Sequence, residues 1–365
     1  MTKRWIQEAA LRHGFDLCGV APAVLDERHR EHYRRWLDNG YHGEMRYMER
    51  RERRDLATVM PNVRSVICLA MNYNTAFPRS TESPDPTRGW IARYAWGDDY
   101  HHILRERMEN LVEELRAEVG EGLEAKVYVD TGPLLERALA WAAGLGWIAK
   151  NTCLINEEIG SWFFLGEILT NLEVAESEFG IPAPDRCGTC TACLEACPTG
   201  AIAEPYVLDA TRCISYYTIE VKGAIPEQMR PQMGRHVFGC DICQDVCPWN
   251  RSPALTPLPA FQPRPFQASR PGRTGVTPDD DSPSAVNPPL EFLATLSEEQ
   301  FHALFCNSPV RRPKYRGFLR NVAVAMGNSG NRKFLPLVER LARHPDPIVR
   351  EHAQWALARL NSAGQ

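Results

Sequence analysis

Eight of the twelve cysteines in the chain lie between residues 187 and 247, in two spaced runs with one single cysteine between them. The first run, Cys187-x-x-Cys190-x-x-Cys193-x-x-x-Cys197-Pro, has the spacing by which bacterial ferredoxins bind iron–sulfur clusters, and in two-cluster proteins its last cysteine binds the other cluster. We therefore expect two 4Fe-4S clusters. The expected ligand sets are Cys187, Cys190, Cys193 and Cys247 for one cluster, and Cys197, Cys213, Cys240 and Cys243 for the other.

Zinc is the alternative for these cysteines, because paired Cys-x-x-Cys motifs also form four-cysteine zinc sites. The proline that follows Cys197 and Cys247, and the total of eight ligands, favour two clusters. The remaining four cysteines are expected to be buried small hydrophobic residues; they are Cys18, Cys68, Cys153 and Cys306. Of these, only Cys153 follows a polar segment, residues 150–152, that could belong to a site.

Composition excludes several classes of protein. No apolar run in the 365 residues approaches the roughly 18 residues of a membrane-spanning helix, which excludes an integral membrane protein. The N-terminal residues lack the apolar stretch of a secretory segment, so we expect a cytoplasmic protein with reduced thiols. The formal net charge of −4 provides no global positive field, so a nucleic-acid partner requires a local basic patch.

The chain is expected to have four regions: a mixed α/β domain over residues 1–180, a ferredoxin-like domain over 181–252, a proline-rich linker over 253–289 and a helical domain over 290–365. In the first region, short β-branched runs at 63–71 and 125–129 indicate buried strands, and 102–119 and 133–143 have helical patterns. Residues 153–155 and 162–165 are typical of a hairpin. The linker, with its ten prolines, is expected to cross the surface rather than form a core.

Apolar residues in the last region recur at helical spacing, for example Leu319, Val322, Ala323 and Met326. Residues 322–329 align with residues 355–362, which indicates an internal repeat. The offset between these two segments is typical of stacked helical pairs of the HEAT kind. Two copies are few, so we expect them to pack on the cluster domain.

Asp130 directly follows the strand predicted at 125–129. Ligands in open α/β sheets bind at the carboxyl ends of the strands, so Asp130 is a candidate proton donor. The alternative is that it caps the following helix. A plain electron carrier does not need so long a region ahead of its clusters, so the α/β region is expected to contain a catalytic electron acceptor.

Six stretches of the sequence resemble the bacterial epoxyqueuosine reductase family, in this order and around the eight cysteines. They are residues 93–101 (RYAWGDDYH), 129–133 (VDTGP), 146–152 (GWIAKNT), 213–220 (CISYYTIE), 238–250 (FGCDICQDVCPWN) and 319–323 (LRNVA). The resemblance covers nearly the whole chain. It implies an oxidoreductase that uses cobalamin and two 4Fe-4S clusters to reduce epoxyqueuosine to queuosine at the wobble position of tRNA, which is the last step of queuosine biosynthesis.

The resemblance also implies a nitroreductase-like or reductive-dehalogenase-like fold for the cobalamin-binding domain, and a set of cofactor contacts. These contacts are Tyr94, Asp130, Lys150, Cys153, Ser215 and Asp241; Arg53, from the arginine-rich run at residues 46–54, is a further candidate for contact with a phosphate or amide of cobalamin. Asp130 is expected to protonate the epoxide oxygen, with its pKa raised by burial. The Asp-x-His-x-x-Gly motif that supplies a histidine to cobalt is absent, because Leu104 stands at the glycine position. For Arg53, an ion-paired surface position is an equal alternative.

A local basic patch is present at the start of the helical region, and the resemblance favours contact with RNA over an ordinary solvated face. The expected RNA-binding residues are Lys222, Arg311, Arg312, Lys314, Arg316 and Arg320. The expected partners are tRNA that carries epoxyqueuosine and an electron donor, either a reductase, a flavodoxin or a ferredoxin. No oligomerisation seam is evident, so a monomer is expected, without a membrane partner.

Two other functions are consistent with parts of the pattern. A cobalamin-dependent reductive dehalogenase also pairs a corrin with two clusters, but such enzymes carry a twin-arginine export signal, and Arg53-Arg54 is too far inside the chain to be one. A two-cluster electron carrier with a helical docking domain would need neither cobalamin nor Asp130. Retention of cobalamin by the purified protein separates the carrier from the enzyme.

Overall fold

The computed structural model describes residues 2–266 and 283–362 of the chain. The strands are β1 (Leu17–Pro22), β2 (Ser65–Asn72), β3 (Trp90–Ile91), β4 (Ala125–Tyr128), β5 (Trp147–Ile148), β6 (Leu154–Ile155), β7 (Phe163–Thr170), β8 (Ile202–Glu204), β9 (Val207–Leu208) and β10 (His236–Phe238). The helices are α1 (Lys3–Arg12), α2 (Glu27–Asp38), α3 (Tyr100–Val119), α4 (Glu136–Ala142), α5 (Ala192–Ala196), α6 (Ile214–Ile219), α7 (Ile242–Asp245), α8 (Leu290–Thr295), α9 (Glu298–Leu304), α10 (Lys314–Asn328), α11 (Leu335–Leu341) and α12 (Pro347–Ser362). No helix in these two ranges has both the length and the apolar composition needed to cross a lipid bilayer.

The central sheet has the strand order β1, β2, β7, β4, and every neighbouring pair is antiparallel. All eight residues of β2 are buried, because the sheet is covered on both faces. The predictions of a mixed α/β fold and of strands at 63–71 and 125–129 are confirmed. The antiparallel order nevertheless means that the rule for ligand sites in parallel open sheets, which suggested Asp130, does not apply here.

Side chains of β2 alternate between two hydrophobic layers, as the two-residue period of a strand requires. Ile67 and Leu69 pack in the layer that contains α1 and α3, whereas Val66 and Cys68 pack in the layer that contains α4. The helix predicted at 102–119 is confirmed in α3. The helix predicted from Pro133 begins three residues later, at Glu136, because residues 130–135 form a loop.

The hairpin predicted from residues 153–155 and 162–165 is wrong. The turn is present, since Asn156 and Gly160 exchange backbone hydrogen bonds of 2.8 and 3.0 Å. The strands on either side separate after it: β6 pairs with β5, whereas β7 joins the central sheet between β2 and β4. The reason is burial, because nearly all of β7 is apolar and covered, and it needs a partner strand on each edge.

The expectation that the proline-rich linker crosses the surface holds for its first part, where residues 254, 255, 257 and 259 are exposed, and is wrong for residues 261–266 and 283–289; residues 267–282 lie outside the described ranges. Phe261 packs edge-on against Phe164, with ring centroids 5.1 Å apart, in the layer above the central sheet. Phe266 stacks on Phe292 at 5.6 Å in the core of the helical region. Aromatic side chains spaced among prolines therefore bury residues 261–266 despite the backbone composition of the segment.

The region that contains the eight cysteines is joined to the first region by a short parallel pair, β10 with β3. Helix α10 packs against β10 and α6, and its residues 317–327 are all buried. The expected packing of the C-terminal helices on the cluster region is therefore confirmed. Helices α10 and α12 begin with the same offset as the sequence repeat, and they lie so close that a Cβ on Gly327 would meet Ala356 at 2.9 Å. The domain boundaries and the HEAT assignment stay predictions.

Candidate active site

A cleft of about 830 Å³ opens where the central sheet, the cluster region and the helical region meet. This volume is near the upper end for sites that bind small molecules and cofactors. Its aromatic walls are formed by Tyr47, Tyr73, Tyr94, Tyr100, Phe163, Phe164 and Phe238. Polar side chains converge on it from the start of α3, from the loop after β4, and from residues 302–314, among them Asp99, His101, Asp130 and Arg312.

Asp130 has a backbone φ of +52°, an uncommon conformation for a residue other than glycine. Its side chain is half exposed and faces the cleft. Its carboxylate Oδ2 lies 3.3 Å from Nε2 of His101. The helix-capping alternative for Asp130 is wrong, because α4 begins at Glu136 and Leu135 holds the capping position.

His101 is held from its other side by Asp99. Nδ1 of His101 lies 2.7 Å from Oδ1 of Asp99, and the same carboxylate accepts a 3.0 Å hydrogen bond from the His101 backbone N–H at the start of α3. The imidazole also stacks on Tyr100 at 4.2 Å. The ring is thus fixed between two carboxylates, Asp99 and Asp130, with both nitrogens engaged.

The electrostatics of this group differ from the sequence-based expectation. Burial lowers the pKa of His101, but hydrogen bonds to Asp130 and Asp99 outweigh burial and raise the pKa to about 9. Burial alone would raise the pKa of Asp130, yet the hydrogen bond to His101 and the positive charges of His101 and Arg312 bring it below its ordinary value. The predicted upward shift for Asp130 is therefore wrong. At neutral pH the site holds an imidazolium on His101 and a carboxylate on Asp130.

The eight cluster cysteines fall into two sets by their mutual influence on pKa. Burial raises the pKa of Cys193 to about 11, and charges on Cys187, Cys247 and Cys190 contribute to this rise. Burial also raises the pKa of Cys240, with further contributions from Cys213 and Cys197. The pKa of Cys243 is raised by its hydrogen bond to Cys153 and by burial, with smaller contributions from Cys240 and Cys213. In the described part of the chain no three histidine, cysteine or acidic side chains lie close enough to share one metal ion. The division of the eight cysteines between two clusters therefore stays a prediction.

The second set of thiols lies toward the cleft. Cys153 is in hydrogen-bonding contact with Cys243, and both Cys153 and Asp241 influence the pKa of Tyr73, which lines the cleft. Asp241 is buried, and its Oδ2 accepts a 2.6 Å hydrogen bond from the backbone N–H of Arg93. Cys153 is thus half-buried beside a cluster ligand, whereas the expectation of burial is met by Cys68 and is wrong for Cys306, which is exposed at the cleft.

The predicted cofactor contacts separate into two groups. Tyr94 and Asp130 line the cleft. Lys150 does not, because its buried ammonium group donates to the backbone carbonyls of Gly188 at 2.6 Å and Cys190 at 2.9 Å. Ser215 faces the thiol of Cys213 and lowers the pKa of this thiol against the larger effect of burial.

Arg53 is buried rather than part of an ion-paired surface. Its guanidinium donates to the backbone carbonyls of Leu134 at 2.9 Å and Tyr47 at 3.3 Å. Leu134 belongs to the loop that carries Asp130, and Tyr47 lines the cleft. Arg53 therefore supports two walls of the cleft through their backbone.

Four of the six predicted RNA contacts surround the mouth of the cleft or adjoin it. Arg311, Arg312 and Lys314 line the cleft and are exposed. Arg312 forms a 2.7 Å ion pair with Glu220. Lys222 donates to the carbonyl of Arg312 at 3.4 Å and is exposed as well.

The other two predicted RNA contacts lie on α10. Arg316 is exposed and donates to the carbonyl of Lys222 at 3.2 Å. Arg320 is wrong as an RNA contact, because it is fully buried. Its guanidinium donates to the carbonyls of Tyr217 at 2.6 Å, Val221 at 2.8 Å and Gly223 at 2.7 Å, and so joins α10 to the end of α6.

His101, the half-buried Glu136 and the fully buried Glu167 are residues that the sequence analysis did not assign. For His101 a signal existed, since Asp99 and His101 stand two residues apart at the start of a helix, where a carboxylate cap and a first-turn imidazole meet. For the glutamates no local signal existed, because they are distant in sequence and lie on different elements, α4 and β7.

Comparison with known proteins agrees with this site. A model described as "4Fe-4S double cluster binding domain" matches residues 186–250, which confirms the prediction of two 4Fe-4S clusters, although the assignment of each cysteine stays a prediction. A second model, "Epoxyqueuosine reductase QueG, DUF1730", matches residues 53–131. Two clusters beside a cleft that contains a charged acid–base pair define an iron–sulfur oxidoreductase.

The epoxyqueuosine reductase of Pseudomonas aeruginosa is 43% identical over 95% of this chain and 91% of its own length, and that of Escherichia coli is 39% identical over 97% and 88%. The chain belongs to the epoxyqueuosine reductase family. A crystal structure of epoxyqueuosine reductase with an epoxyqueuosine-modified tRNA-Tyr stem loop superposes with a TM-score of 0.84 at 30% identity, covering 98% of this chain and 90% of that one.

The Bacillus subtilis enzyme, described with its catalytic aspartate loop swung out of the active site, superposes with a TM-score of 0.83 at 31% identity, again over 98% and 90% of the two chains. These matches confirm the fold of the family for nearly the whole chain. The similarity to reductive dehalogenases is weak, with a TM-score of 0.42.

Proposed function

We propose that this protein reduces epoxyqueuosine to queuosine at the wobble position of tRNA, with electrons delivered through two 4Fe-4S clusters. The observation that carries the proposal is the charged His101–Asp130 pair, which faces a cleft beside the second set of cluster thiols. Relatives of about 40% identity that span the chain are epoxyqueuosine reductases, and one solved family member holds a modified tRNA stem loop. A plain electron carrier would not need such a cleft.

Removal of the epoxide oxygen as water consumes two electrons and two protons, and cleavage of the carbon–oxygen bond leaves negative charge on oxygen. Asp130 is the carboxylate that faces the cleft, and His101 holds the proton at its Nε2, 3.3 Å away. In the proposed reaction this proton passes through Asp130 to the oxygen, and His101 is then protonated again from solvent. Asp99 keeps the imidazole ring oriented for the transfer.

The two thiol sets support an ordered path for electrons. We place the cluster of the set that contains Cys243 nearer the cleft, because Cys243 contacts Cys153, and both Cys153 and Asp241 influence the pKa of Tyr73 on the cleft wall. The cluster of the set that contains Cys193 would then be the farther one. Electrons from a donor would therefore enter at the first cluster and leave from the second. We propose a reductase, flavodoxin or ferredoxin as the donor.

Cobalamin fits the cleft on the chemistry of its walls. The rings of Tyr100 and Phe164 stack almost in parallel, 4.1 Å apart and 5° from coplanar, and Tyr94 packs beside Phe238. Such flat apolar walls suit a planar macrocycle. Tyr94 and Asp130 would contact it from the cleft, and Arg53 would act through Leu134 and Tyr47. When bound, cobalamin supplies a strongly reducing centre for two-electron chemistry.

His101 is not available as a ligand to cobalt without the loss of this pair, because both of its nitrogens already contact carboxylates, those of Asp99 and Asp130. His102 and His302 also line the cleft. Lys150 and Ser215 would act indirectly, by holding the cysteine loops, and Cys153 and Asp241 would lie between the second cluster and the cofactor.

The basic residues at the cleft mouth support contact with the phosphates of a tRNA anticodon stem loop. Arg311, Arg312 and Lys314 are exposed there, and phosphate contacts of this kind position an RNA without reading its sequence. Lys222, after α6, and Arg316, on α10, extend this basic surface. We further propose that the protein acts as a monomer in the cytoplasm, and that α10–α12 form a HEAT-like RNA-binding face.

The test is anaerobic reconstitution of the protein with iron, sulfide and cobalamin, followed by turnover on tRNA that carries epoxyqueuosine. We expect the nucleoside to lose the mass of one oxygen only when both cofactors are present. Asp130→Asn should abolish the conversion, whereas the matched control Asp38→Asn, an exposed carboxylate on α2, should not. Binding of two clusters with neither conversion nor retention of cobalamin would favour an electron carrier instead.

A further inference from the structure

The loop between α9 and α10, residues 305–313, forms one side of the cleft mouth and is called the mouth loop below. It is joined to the start of α3, because the backbone N–H of Asp99 donates a 3.0 Å hydrogen bond to the carbonyl of Asn307. Asn307 has a φ of +53°, an uncommon conformation that persists only where the surroundings impose it. The residue whose carboxylate binds His101 is therefore held through its backbone by the mouth loop.

Arg264, in the proline-rich linker, bonds both sides of this junction. Its guanidinium forms an ion pair with the carboxylate of Asp98, the residue before Asp99. It also donates to two carbonyls of the mouth loop, those of Cys306 and, at 2.7 Å, Asn307. The carbonyl of Asn307 thus accepts from Asp99 and Arg264 together. The planar fork of an arginine can fill several acceptors at once, whereas an ammonium group is a single point charge.

The backbone of Arg264 is fixed on both sides. Its N–H donates to the carbonyl of Trp96 at 2.9 Å, and its own carbonyl accepts from the N–H of Ala285 at 3.0 Å. Nearby, a Cβ on Gly97 would meet the carbonyl oxygen of Ala260 at 2.3 Å, so the linker backbone lies directly against the turn before α3. The guanidinium therefore reaches Asp98 and the mouth loop from a fixed origin, and only 20% of the side chain is exposed.

We propose that Arg264 is a positioning residue for the acid pair: it fixes the turn of Asp98 and Asp99 against the mouth loop and so keeps the Asp99 carboxylate on His101. Arg264 is not among the described residues that line the cleft, so it acts through these neighbours. Its effect on catalysis rests on the proposed function. Its effect on the contact between Asp99 and His101 does not, and the two are measured separately.

Arg264→Met tests this role, because methionine fills part of the same space and removes every donor. The loss of positive charge alone would raise the pKa of His101. The loss of positioning would instead let Asp99 move away and leave Asp130 as the carboxylate partner, so the pKa should fall from about 9 by about one unit. NMR titration of histidine-labelled holoenzyme gives the sign of this change, with His101→Gln to assign the signal.

Variants of Asp98 separate the proposed path from general damage to the linker. Asp98→Ala removes the ion pair from its other side, whereas Asp98→Asn loses the same charge but keeps an oxygen acceptor for Arg264. The pKa of His101 should therefore be lower in Asp98→Ala than in Asp98→Asn. The double variant Arg264→Met, Asp98→Ala should match Arg264→Met alone, because both residues act through one contact.

Arg88→Met is the matched control. Arg88 also joins an aspartate to the linker, since its Nε lies 3.5 Å from the Asp85 carboxylate and its Nη1 donates to the carbonyl of Asn287 at 3.1 Å. It does not line the cleft described above. Arg88→Met should lower the melting temperature about as much as Arg264→Met does, and the pKa of His101 should stay at about 9.

In single turnovers at saturating epoxyqueuosine tRNA, Arg264→Met should be about tenfold slower than the wild type, since misplacement at a distance from the reacting atoms still slows the chemical step. The rate of Arg88→Met should stay within about twofold of the wild type. The salt dependence of stem-loop binding should be unchanged in Arg264→Met. A slope smaller by about one would show that Arg264 binds a phosphate directly, which would overturn the proposal.

The pKa of His101 decides between positioning and a purely structural role. An unchanged or higher value in Arg264→Met would overturn the proposal, as would an equal fall in Arg88→Met. If Arg264→Met does not fold, Asp98→Ala and Asp98→Asn take its place, and equal pKa values in these two variants would overturn it. A wild-type protein that does not convert the substrate would contradict the proposed function alone.

Discussion

His101 and Asp130, 29 residues apart in the sequence, meet with 3.3 Å between Nε2 and Oδ2 at the wall of the cleft. The contact makes the imidazole, not the carboxyl group, the holder of the proton near neutral pH. Asp130 faces the cleft and so directs the proton transfer toward it, and His101 supplies the proton. The imidazole of His101 therefore stays protonated until the pH approaches 9.

Replacement of His101 by glutamine should remove the stored proton while it keeps a hydrogen bond to Asp130. We expect a fall of about 100-fold in the rate of a single turnover, the usual contribution of a positioned acid, with tRNA affinity unchanged. His102→Gln is the matched control, because His102 also lines the cleft. Equal rates for His101→Gln and the wild type would show that Asp130 draws its proton from elsewhere.

The protonation of His101 should also appear in the pH dependence. Its pKa is about 9 in the folded protein against 6.5 ordinarily, so the stabilisation from its two carboxylate partners is fully present below pH 6.5 and is lost as the pH rises through 9. Turnover and the melting temperature should both decline over this interval. Asp99→Asn removes one of the two partners, so NMR titration should give a lower pKa for His101 in this variant.

The sequence predicted the chemistry of this site better than its geometry. Cysteine spacing is a local property that indicates cluster ligands directly, and the match of residues 186–250 to a double-cluster domain confirms that prediction. Asp130 was selected from its position after a strand, although β4 belongs to an antiparallel sheet to which that rule does not apply. Strands buried on both faces, such as β2, have the same apolar pattern in either kind of sheet, so periodicity could not distinguish them.

Two further differences between the sequence-based expectations and the structure have the same cause. In both, burial depends on contacts between residues that are distant in sequence. Arg316 and Arg320 are four residues apart on one face of α10, yet Arg316 is exposed and Arg320 is buried where the helix passes under the end of α6. The prolines around Phe261 and Phe266 indicated an exposed segment, but the two rings fill gaps in separate cores. Neither position carries a local signal for its partner.

Lys150 should matter for the first cluster and not for the cofactor. Its ammonium group holds two carbonyls of the loop between Cys187 and Cys190, and methionine at this position would leave both without a donor. Lys150→Met should therefore bind about four irons instead of about eight, with cobalamin binding retained. Iron and corrin contents of the purified protein measure this. The control is Lys126→Met on β4 of the central sheet, where the ammonium group of Lys126 donates to the carbonyl of Val59. A full iron content in Lys150→Met would contradict the assigned role.

The basic residues of α10 and of the segment before it should separate into binding and folding functions. Arg320→Met removes the donor to three buried carbonyls, so we expect a loss of about 3 kcal/mol in the free energy of unfolding and a lower melting temperature. The affinity of this variant for a tRNA stem loop, measured below the melting temperature, should be unchanged.

The double variant Arg311→Ala, Lys314→Ala should show the reverse, with unchanged stability and weaker binding. The slope of the logarithm of the binding constant against the logarithm of the salt concentration should decrease in magnitude by nearly two, because two phosphate contacts are lost. Arg340→Ala, on α11 away from the cleft, is the surface control. If Arg320→Met weakened binding while the double variant did not, the RNA would have to approach from a different face of α10 than the cleft mouth.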